Sequence, residues 1–431
     1  MTNNTTNGVR QSKLFTKTRK EAPTDEVSKN AEFLTRGGFV HKEMSGVYSY
    51  LPLGLRVLKK IENIIREEMN SVGGQEVLMS SFQPKENWEK TGRWEAMTDL
   101  YKVNDSSGRE VALGPTHEEI VVPILKNYVS SHKDFPLAIY QIQNKFRMEL
   151  RAKSGMLRGR EFIMKDMYSF HTSKEDFENF YEKMKDVYKN IFQRAGIGHI
   201  TYLTFASGGT FSKYSHEFQT ITPAGEDTIY INKDSNVALN KEVMNDEVLD
   251  QLGLLADKDK LIEHKSIEVG NIFDLKTKYS EPFDLDFTDE KGQKNIVLMG
   301  CYGIGLGRLM GTVVEAMADD KGIIWPESIA PFTLHLLALG DDEAVLKEAE
   351  KVYETLMKNG IEVLFDDRLD ISAGEKFADA DLLGMPYRAV VSLRSIKESG
   401  IELKKRIEEK GKVVTLSELI KLLKPNSQRS V

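Results

Sequence analysis

The sequence predicts an α+β protein in which a large mixed domain is followed by a smaller three-layer α/β domain. Two patterns in the 431 residues lead to this prediction. Two amphipathic strands joined by a short basic loop occupy residues 138–171, which is typical of a sheet that contains hairpins. From residue 331 onward, apolar strand-like runs alternate with helical patterns, which is typical of a three-layer α/β domain.

The composition is ordinary for a globular protein, with 40% hydrophobic and 29% charged residues. No apolar run has the length of a membrane span. The net charge of −7 gives no global sign of nucleic-acid binding, so an RNA-binding surface has to be local. The single Cys301 excludes an internal disulfide and a multi-cysteine zinc site, and a small buried hydrophobe is favoured over a reactive thiol.

The first elements are an N-terminal tail and a long helix. Residues 1–10 are rich in Asn and Thr, which predicts a disordered tail. A helix is predicted after residue 51, because Pro52 lies near its start and Gly73 and Gly74 follow its end. Apolar residues recur at steps of three and four, which predicts one buried face: Leu51, Leu55, Leu58, Ile61, Ile65 and Met69.

The strand over 138–150 divides into two faces at period two. One face is broken only by Asn144 and is predicted to be core: Tyr140, Ile142, Phe146, Met148 and Leu150. The other face is a row of hydrogen-bonding groups: Gln141, Gln143, Lys145, Arg147 and Glu149. The loop over 151–160 then carries four cations and no acid.

A second strand is predicted over 161–171, with Phe162 near its start. A solvated hairpin with a basic tip is the simpler interpretation of this region. However, Arg147 and Glu149 share one face two residues apart, and an aromatic ring begins the returning strand. Those groups suit an anionic, aromatic ligand such as ATP.

The middle of the chain continues with helical spacing over 173–195, which predicts a helix capped by Thr172 or Ser173. Its predicted core stripe is Phe177, Phe180, Tyr181, Met184, Val187, Tyr188 and Ile191. The charged stretch 232–266 predicts short helices and loops and is too short, at about thirty-five residues, for a domain with its own core. Residues 267–330 are predicted to complete the first domain.

Residues 295–311 predict an apolar strand that runs into glycines at alternate positions, Gly303, Gly305 and Gly307, and then into Arg308 at the start of a helix. Glycines allow a backbone and a ligand to approach closely, and a guanidinium suits a polyphosphate. The spacing fits neither a Walker loop nor a dinucleotide fingerprint. Taken alone, the motif is equally well explained as a structural strand-to-helix turn.

The C-terminal alternation predicts a series of elements. In order they are strand 333–339, helix 342–358, strand 361–365, helix 373–384, strand 387–393 and a last helix near 416–424.

Together these motifs resemble the three signature motifs of the class II aminoacyl-tRNA synthetases. The helix that contains Pro52 is similar to the first, which lies at a dimer interface in that family. Phe146-Arg147-Met148-Glu149, followed by Phe162, is similar to the second. The glycine run that ends at Arg308 is similar to the third.

A finer resemblance, to the bacterial-type prolyl-tRNA synthetases, covers nearly the whole chain. The segments that carry it are 12–15, 46–54, 114–119, 160–171, 215–218, 365–368 and 376–388. The resemblance implies a class II synthetase antiparallel-sheet catalytic domain over 11–330 and a three-layer α/β anticodon-binding domain over 331–431. Typical bacterial relatives carry an editing domain where this chain has only the 232–266 linker, so the sequence predicts no editing in cis.

The implied activity is the ATP-dependent ligation of proline to tRNA(Pro) through prolyl-adenylate, with ATP and Mg²⁺ as cofactors. A cytoplasmic homodimer without membrane partners, with a separate trans-editing deacylase, is also expected. Two alternatives stay open. One is another class II synthetase, for threonine, histidine or glycine, and the other is a non-catalytic RNA-binding paralogue. The presence of Arg147, Glu149 and Arg308 disfavours the second.

The resemblance also implies residue roles. Arg147 would contact the α-phosphate and the proline carboxylate, Glu149 would orient the adenine, and Arg308 would clamp the γ-phosphate. These three are the predicted catalytic residues. The predicted ATP-binding set is Arg147, Glu149, Phe162, Glu268, Asn271 and Arg308, with Glu268 near the metal or the ribose. The predicted proline-binding set is Thr116, Glu118, Arg147, His171, Ser215 and His216, although a structural histidine is an open alternative at both histidines.

Thr116 and Glu118 also make chemical sense, since a secondary ammonium offers two donors that a hydroxyl and a carboxylate accept. The predicted tRNA-binding set is Arg151, Lys153, Arg158, Arg368, Lys376 and Phe377. A charged loop and a capped helix are the simpler interpretation of the last three. The chain departs from its relatives at Asn271, where they have histidine, and at Lys276, where they have glycine. Lysine at 276 predicts an ordinary backbone angle there.

Overall fold

The computed structural model describes residues 8–21, 28–150, 152, 154–209, 214–235 and 237–424. The chain groups into two compact units, one of residues 42–48 and 61–316 and the other of residues 1–41, 49–60 and 317–431. Within the described ranges, no helix combines the length and the apolar character needed to cross a membrane. The division into a catalytic domain over residues 11–330 and an anticodon-binding domain over residues 331–431 stays a prediction.

In chain order, the α-helices of the described residues are α1 Lys29–Arg36, α2 Pro52–Ser71, α3 Lys85–Lys90, α4 Arg93–Ala96, α5 Glu118–Lys126, α6 Lys174–Arg194, α7 Asp246–Gln251, α8 Leu306–Met317, α9 Glu343–Lys358, α10 Ala373–Leu383, α11 Leu393–Lys397 and α12 Leu416–Leu423. The strands are β1 Gly8–Arg10, β2 Val40–Met44, β3 Val47–Tyr50, β4 Gln75–Glu76, β5 Phe82–Pro84, β6 Tyr101–Asn104, β7 Glu110–Leu113, β8 Leu137–Phe146, β9 Glu161–His171, β10 Thr201–Ser207, β11 Tyr214–Ile221, β12 Asp227–Asn232, β13 Val237–Asn240, β14 Ile262–Lys276, β15 Asp286–Thr288, β16 Lys294–Ile296, β17 Leu298–Gly305, β18 Leu334–Ala338, β19 Val363–Asp366, β20 Tyr387–Val391, β21 Ile401–Lys405 and β22 Lys412–Val414.

The larger unit is built on a nine-stranded sheet in the order β11-β10-β13-β12-β14-β17-β9-β8-β4. The central pairs β8–β9, β9–β17 and β14–β17 are antiparallel, which confirms the predicted antiparallel-sheet domain. Helix α6 confirms the helix predicted over 173–195, and the Ser173 hydroxyl caps it by accepting from the Asp176 amide at 3.2 Å. The predicted stripe of α6 is buried except at Phe180, which is half-buried.

Helix α2 begins at Pro52 as predicted, and Gly73 closes it with a φ of +81°. Four residues of the predicted face are buried: Leu58, Ile61, Ile65 and Met69. Leu55 is 41% exposed, so its assignment to the core was wrong. At 3.6 residues per turn, Leu53 and Val57 lie on the buried face in its place.

Strand β8 ends at Phe146, earlier than the alternating pattern predicts. Met148 and Leu150 are 41% and 90% exposed, so the prediction that they are core was wrong. The amide of Met148 donates to the carbonyl of Asp99 at 2.7 Å, which shows that the chain has left the sheet ladder at this point. Alternation in sequence marks residues that suit a strand but does not mark where the partner strand stops.

The stretch 232–266 contains α7, as predicted, but also β13 and the beginning of β14, which were not predicted. Strands β12 and β14 pair antiparallel with Ile231 opposite Ile262, so the residues between them form a short excursion from one strand pair. Buried apolar side chains gather there in a small cluster: Leu239, Val243, Leu249 and Leu254. In its described residues this excursion contributes one strand to the main sheet and forms no sheet of its own.

The other unit contains a six-stranded sheet in the order β1-β19-β18-β20-β21-β22. Strands β18, β19 and β20 are parallel and alternate with α9 and α10, which confirms the predicted α/β domain. Its long helices begin at side-chain caps: Asp342, Ser372 and Thr415. The hairpin β21–β22 was not predicted.

Residues 8–10 correct the prediction of a disordered tail over 1–10, and residues 1–7 lie outside the described residues. The three residues form β1, which pairs in parallel with β19, Gly8 opposite Val363. Arg10 holds the end of this strand, since its guanidinium pairs with Glu350 and lies 5.1 Å from the centre of the Tyr353 ring. Local composition hides such a strand because every partner is far away in the sequence.

Lys276 corrects another prediction. Its φ is +49°, in the left-handed region, although lysine at this position predicted an ordinary backbone angle. The residue lies where β14 shifts register against β17, between Asp274 and Lys276. A carboxylate oxygen of Asp274 accepts from the Lys276 amide at 2.9 Å, which stabilises the bulge against the cost of a left-handed residue with a Cβ.

Candidate active site

A cleft in the larger unit brings together the motifs that the sequence singled out. All six predicted ATP-binding residues line it: Arg147, Glu149, Phe162, Glu268, Asn271 and Arg308. They come from the residues that follow β8, from β9, from β14 and from the first turn of α8. Thr116 and Arg158 line the same cleft. Cations, carboxylates and two aromatic side chains, Phe162 and Phe273, therefore line a single space.

Arg147 is the least neutralised cation of the cleft. One guanidinium nitrogen, Nη2, donates to the carbonyl of Pro115 at 3.3 Å, while Nε is buried without a hydrogen-bond partner among the described residues. The ring centre of Phe162 lies 5.3 Å from its Cζ. Burial, and then the charge of Arg308, lower the pKa of Arg147. A partly desolvated guanidinium beside a second one is a site for an anion.

Arg308 is oriented by fixed contacts. Its Nη1 lies 2.8 Å from Oε2 of Glu268, and its Nε donates to the carbonyl of Leu157 at 2.9 Å. Asn271 donates from Nδ2 to the other oxygen of Glu268 at 2.7 Å. A Cβ at Gly303 would lie 3.0 Å from Oδ1 of Asn271, so glycine at this position leaves the room that Asn271 occupies.

Glu149 is engaged by the loop that follows β8. Its Oε2 lies 2.9 Å from Nε of Arg158, whose Nη1 lies 3.5 Å from Oε2 of Glu226. Arg160 donates from Nε to the backbone carbonyl of Glu149 at 2.9 Å. Arg158, predicted to bind tRNA, therefore lies in the cleft, where a ligand of Glu149 has to compete with it.

Thr116 lines the cleft and connects it to Glu118, which lies behind the lining residues. The Thr116 hydroxyl donates to Oε2 of Glu118, which is fully buried, and the thiol of Cys301 donates to Oε1 at 3.4 Å. Cys301 is 6% exposed, which confirms the prediction of a buried cysteine, and burial raises its pKa well above the usual range. The next residue, Glu119, pairs instead with Nη1 of Arg93 at 2.9 Å. Burial raises the pKa of Glu119, although Arg93 opposes the shift.

Asp166 was missed by the sequence analysis, yet it also lines the cleft. Its carboxylate lies 2.8 Å from Nζ of Lys145 and accepts from Gln141 and from the Tyr168 hydroxyl, both at 3.0 Å. The Tyr168 hydroxyl in turn accepts from the His117 amide at 2.9 Å, which ties this network to the residues before α5. Part of the polar face of β8 is therefore a buried structural network. No local pattern in the sequence marks Asp166, because its position opposite Gln141 is set by the pairing of β8 with β9.

His171, Ser215 and His216 are not brought to the cleft. His171 is buried with Nδ1 at 2.5 Å from a carboxylate oxygen of Asp176. His216 lies 3.0 Å from the hydroxyl of Tyr181, and burial lowers its pKa to about 4. The Ser215 hydroxyl donates to a backbone carbonyl at 2.9 Å. Their assignment to a proline pocket stays a prediction, and these contacts favour the structural alternative.

The predicted tRNA-binding residues of the smaller unit are engaged internally. Arg368 pairs with Asp366 at 2.7 Å and with Asp379 at 2.8 Å. Lys376 is 3% exposed and donates to a backbone carbonyl at 2.8 Å. The ring of Phe377 faces the Arg388 guanidinium, 4.6 Å from ring centre to Cζ.

This leaves the predicted tRNA contacts without geometric support from the smaller unit. Arg151 and Lys153 lie outside the described residues, so the contacts predicted for them stay a prediction too.

Comparison with known families gives two matches that together cover most of the chain. Residues 101–317 match the family described as tRNA synthetase class II core domain (G, H, P, S and T). Residues 329–426 match the family described as anticodon binding domain. The first match contains every residue that lines the cleft.

Curated relatives match over nearly the full length. The proline–tRNA ligase of Geobacillus kaustophilus is 34% identical over 563 aligned positions, which cover 96% of this chain and 98% of that protein. The proline–tRNA ligase of Ehrlichia chaffeensis is 38% identical over 429 positions, which cover 96% of this chain and 100% of that protein. Among solved structures, prolyl-tRNA synthetase from Cryptosporidium parvum, in complex with L-proline and AMP, superposes with a TM-score of 0.72 at 19% identity, covering 91% of this chain and 73% of that one.

Proposed function

Because this chain belongs to the proline–tRNA ligases of the class II tRNA synthetase family, we propose that it joins proline to tRNA(Pro) in two steps. Proline first reacts with ATP to give prolyl-adenylate and pyrophosphate. The prolyl group then passes to the terminal ribose of the tRNA. The observation that carries the proposal is the cleft, in which three guanidinium groups, carboxylates and the Phe162 ring face one space.

The first step needs no nucleophile from the protein. A carboxylate oxygen of proline attacks the α-phosphorus, and the bond from that phosphorus to the bridging oxygen breaks, so pyrophosphate leaves with the electron pair. Catalysis then depends on positioning and on stabilising charge at the phosphate. Arg147 is suited to hold the α-phosphate and the proline carboxylate together, since no carboxylate of the described chain lies within 4.0 Å of its guanidinium. Arg308 is suited to the γ-phosphate.

The second step transfers the acyl group. A ribose hydroxyl of the tRNA attacks the carbonyl carbon of prolyl-adenylate, and AMP leaves as the mixed anhydride bond breaks. The adenine end of the nucleotide is assigned to Glu149 and Phe162. Phe162 lines the cleft as an aromatic ring on which the adenine can stack, and Glu149 lines it as a carboxylate for which the adenine would compete with Arg158.

Proline recognition is assigned to Thr116 and Glu118. The secondary ammonium of proline carries two protons, and the buried Glu118 carboxylate beside the Thr116 hydroxyl offers two acceptors. A buried carboxylate is stabilised by such a cation, because the alternative is an uncompensated charge. Its nearest cation, Arg93, lies at 3.8 Å and is committed to Glu119 at 2.9 Å.

The residues present also fit Mg²⁺. No group of three or more acids, histidines or cysteines suited to a metal occurs among the described residues, but Mg²⁺ usually takes one or two carboxylates plus substrate phosphates. Glu268 is the carboxylate we assign, since among the described residues each of its oxygens accepts one hydrogen bond and a carboxylate oxygen can accept two. Burial, and then the charge of Glu268, raise the pKa of the neighbouring Glu217. Mg²⁺, when bound, would neutralise phosphate charge.

The test is ATP–pyrophosphate exchange with each amino acid separately and without tRNA. We expect exchange with proline, and exchange with alanine that is lower by about 10² to 10⁴ in kcat/KM, because each missing methylene is worth ~10–200-fold. Exchange with threonine, histidine or glycine instead would place the chain with another class II synthetase. The absence of exchange with any amino acid would contradict the proposal and favour an RNA-binding paralogue.

Editing is expected to be absent in cis. The Geobacillus relative aligns over 563 positions against the 431 residues here, so at least 132 positions of the alignment have no counterpart in this chain. The residues between β12 and β14 form the short excursion described above. Alanine mischarged onto tRNA should therefore persist with the purified enzyme and disappear when a separate deacylase is added. Rapid loss of alanyl-tRNA without such a partner would contradict this.

We further propose that the cytoplasmic enzyme is a homodimer that pairs through the β4 edge of the nine-stranded sheet. Strand β4 is the last strand on that side, and exposed apolar side chains follow it: Leu78 is 76% exposed and Phe82 is 61% exposed. A second copy of this chain would cover them. We expect Leu78→Asp to be a folded monomer by light scattering. Leu369→Asp, at a position 63% exposed in the other unit, is the matched control and should stay dimeric. A monomeric wild type would overturn this proposal.

A further inference from the structure

Residues 11–20 form an exposed basic segment at the edge of the smaller unit's sheet. All four of its cations are exposed: Lys13, Lys17, Arg19 and Lys20. Phe15 lies among them and is 74% exposed. The whole chain is acidic, with a net charge of −7, so this segment is a local reversal of sign.

The segment leaves the sheet at a defined edge. Strands β1, β19, β18 and β20 run parallel, so their carboxyl ends meet at one edge, and β1 ends there at Arg10. Gln11 is buried against His335, with Oε1 and Nε2 2.9 Å apart. Ser12 then donates to Asp367 from its amide at 3.1 Å and from its hydroxyl at 2.8 Å. Residues 11–20 thus extend the edge that begins with the Asp366-Asp367-Arg368 turn.

Both ends of the segment are tethered. Its start is fixed by β1, and at its other end the Arg19 amide donates to the Arg36 carbonyl at 2.9 Å, while Arg36 returns a bond from Nε to the Arg19 carbonyl at 3.2 Å. Lys20 is seven residue steps from Lys13, so the two Cα atoms lie at most ~25 Å apart. Because both ends of the segment are held, binding of a ligand along it costs little conformational entropy of the protein.

The charges of this track are available to a ligand. No carboxylate of the described chain lies within 4.0 Å of the ammonium of Lys13 or Lys17 or of the guanidinium of Arg19. Lys20 has one acidic neighbour, Glu375 at 3.9 Å, and its side chain is 90% exposed. Such a pair at the surface contributes almost nothing. By contrast, Arg368 and Lys376 at the same edge are held by Asp366 and by backbone carbonyls.

We infer that residues 11–20 are a tRNA-binding surface of this chain, on which Lys13, Lys17, Arg19 and Lys20 contact phosphates of an unpaired RNA segment and Phe15 stacks on one of its bases. A basic track with an interleaved aromatic ring is the usual design of a surface for single-stranded nucleic acid. The inference rests on the proposed function for the identity of the RNA. The inference assigns the tRNA phosphate contacts to the cations of residues 11–20 in place of Arg368 and Lys376, which are held within the fold.

The test compares wild type with the triple variant Lys13→Gln/Lys17→Gln/Lys20→Gln, using transcribed tRNA(Pro). We expect the Kd for tRNA to rise at least tenfold and the slope of log Kd against log salt to fall by about two to three, close to one per lost phosphate contact. Phe15→Ala should weaken binding by about tenfold with an unchanged salt slope, because stacking is not ionic. Proline-dependent ATP–pyrophosphate exchange without tRNA should equal that of wild type in both variants.

The matched control is Lys347→Gln/Lys351→Gln/Lys358→Gln, which removes the same charge from exposed positions of α9. Unchanged tRNA binding by the N-terminal triple variant, or an equal loss in the α9 variant, would overturn the inference. If the wild type showed no proline-dependent ATP–pyrophosphate exchange, the proposed function would be contradicted instead. The comparison of RNA binding between the variants would still decide whether residues 11–20 bind RNA. Binding of the wild type to anionic vesicles but not to tRNA would also overturn it.

Discussion

Replacement of Arg147 by alanine is expected to lower proline-dependent ATP–pyrophosphate exchange by at least ~10³-fold, since a single donor to a developing oxyanion is worth ~10²–10³ and this one also holds the carboxylate that attacks. The loss should appear in kcat as well as in kcat/KM, because Arg147 is assigned to the α-phosphorus, where charge changes during the reaction. Single-turnover formation of prolyl-adenylate is the direct measurement.

The fold of the Arg147→Ala variant should be intact. Burial lowers the pKa of Arg147 and Nε has no partner among the described residues, which means that the ligand-free protein bears the cost of a poorly solvated cation. Removing it should leave the melting temperature unchanged or raise it. Arg394→Ala is the control for loss of one positive charge, since that side chain is 80% exposed in the other unit. Activity in the Arg147→Ala variant within tenfold of wild type would contradict the role assigned here.

The melting temperature separates two explanations of a loss of activity. A structural arginine that holds the hairpin would reduce stability and activity together when it is removed. Removal of an arginine whose role is to bind an anion should reduce activity alone. ATP should then stabilise the wild type far more than the variant. Arg147→Lys keeps the charge but loses the forked donor geometry, and it should recover only a small part of the exchange rate.

The sequence predicted those parts of the site that lie close together in the chain or carry a motif. Arg147, Glu149 and Phe162 belong to one hairpin, and the turn before Arg308 is marked by its glycines, so the four residues could be assigned from the order of amino acids alone. The structure adds that they meet at one cleft. Period-two alternation also located β8, but not its end, because the end depends on where the pairing with β9 stops.

Contacts between distant segments could not be predicted in this way. Asp166 belongs to a buried network whose members come from two strands and from the segment before α5. Strand β1 has its partner in β19, more than three hundred residues away. Lys276 adopts a left-handed backbone angle, and Asp274 stabilises the bulge in which it lies. The presence of lysine where relatives have glycine does not indicate this contact.

The charged residues assigned to tRNA show that the sequence can also suggest contacts that the fold does not leave available. Arg368 and Lys376 are cations in a family-like motif, and charge alone cannot distinguish a cation that is paired inside the fold from one that is available. The distinction depends on Asp366, whose position relative to both is a property of the folded edge. Lys17 carries no motif signal, and Lys13 belongs to a family-like segment for which the sequence suggested no tRNA role, yet both are exposed cations at that edge.

The second large effect is expected for Glu118→Gln, which should raise the KM for proline by about 10²–10³. Removing one partner of a buried, hydrogen-bonded charge pair costs ~2–5 kcal/mol, and glutamine offers the ammonium of proline a neutral oxygen in place of a charged one. The KM for ATP should change little, because Glu118 faces Thr116 and Cys301. Proline-dependent exchange at varied proline and fixed ATP measures the effect.

The adjacent Glu119 provides the matched control, since it is the same residue type with the same 0% exposure. It lies against Arg93 and Thr91 at 2.9 Å each, so its role is structural. Glu119→Gln should leave the KM for proline within a few-fold of wild type and lower stability by ~3–5 kcal/mol, because Arg93 loses its closest carboxylate. Equal effects of the two substitutions on the KM would show that both act through the packing of α5, and Glu118 would then have no direct contact with proline.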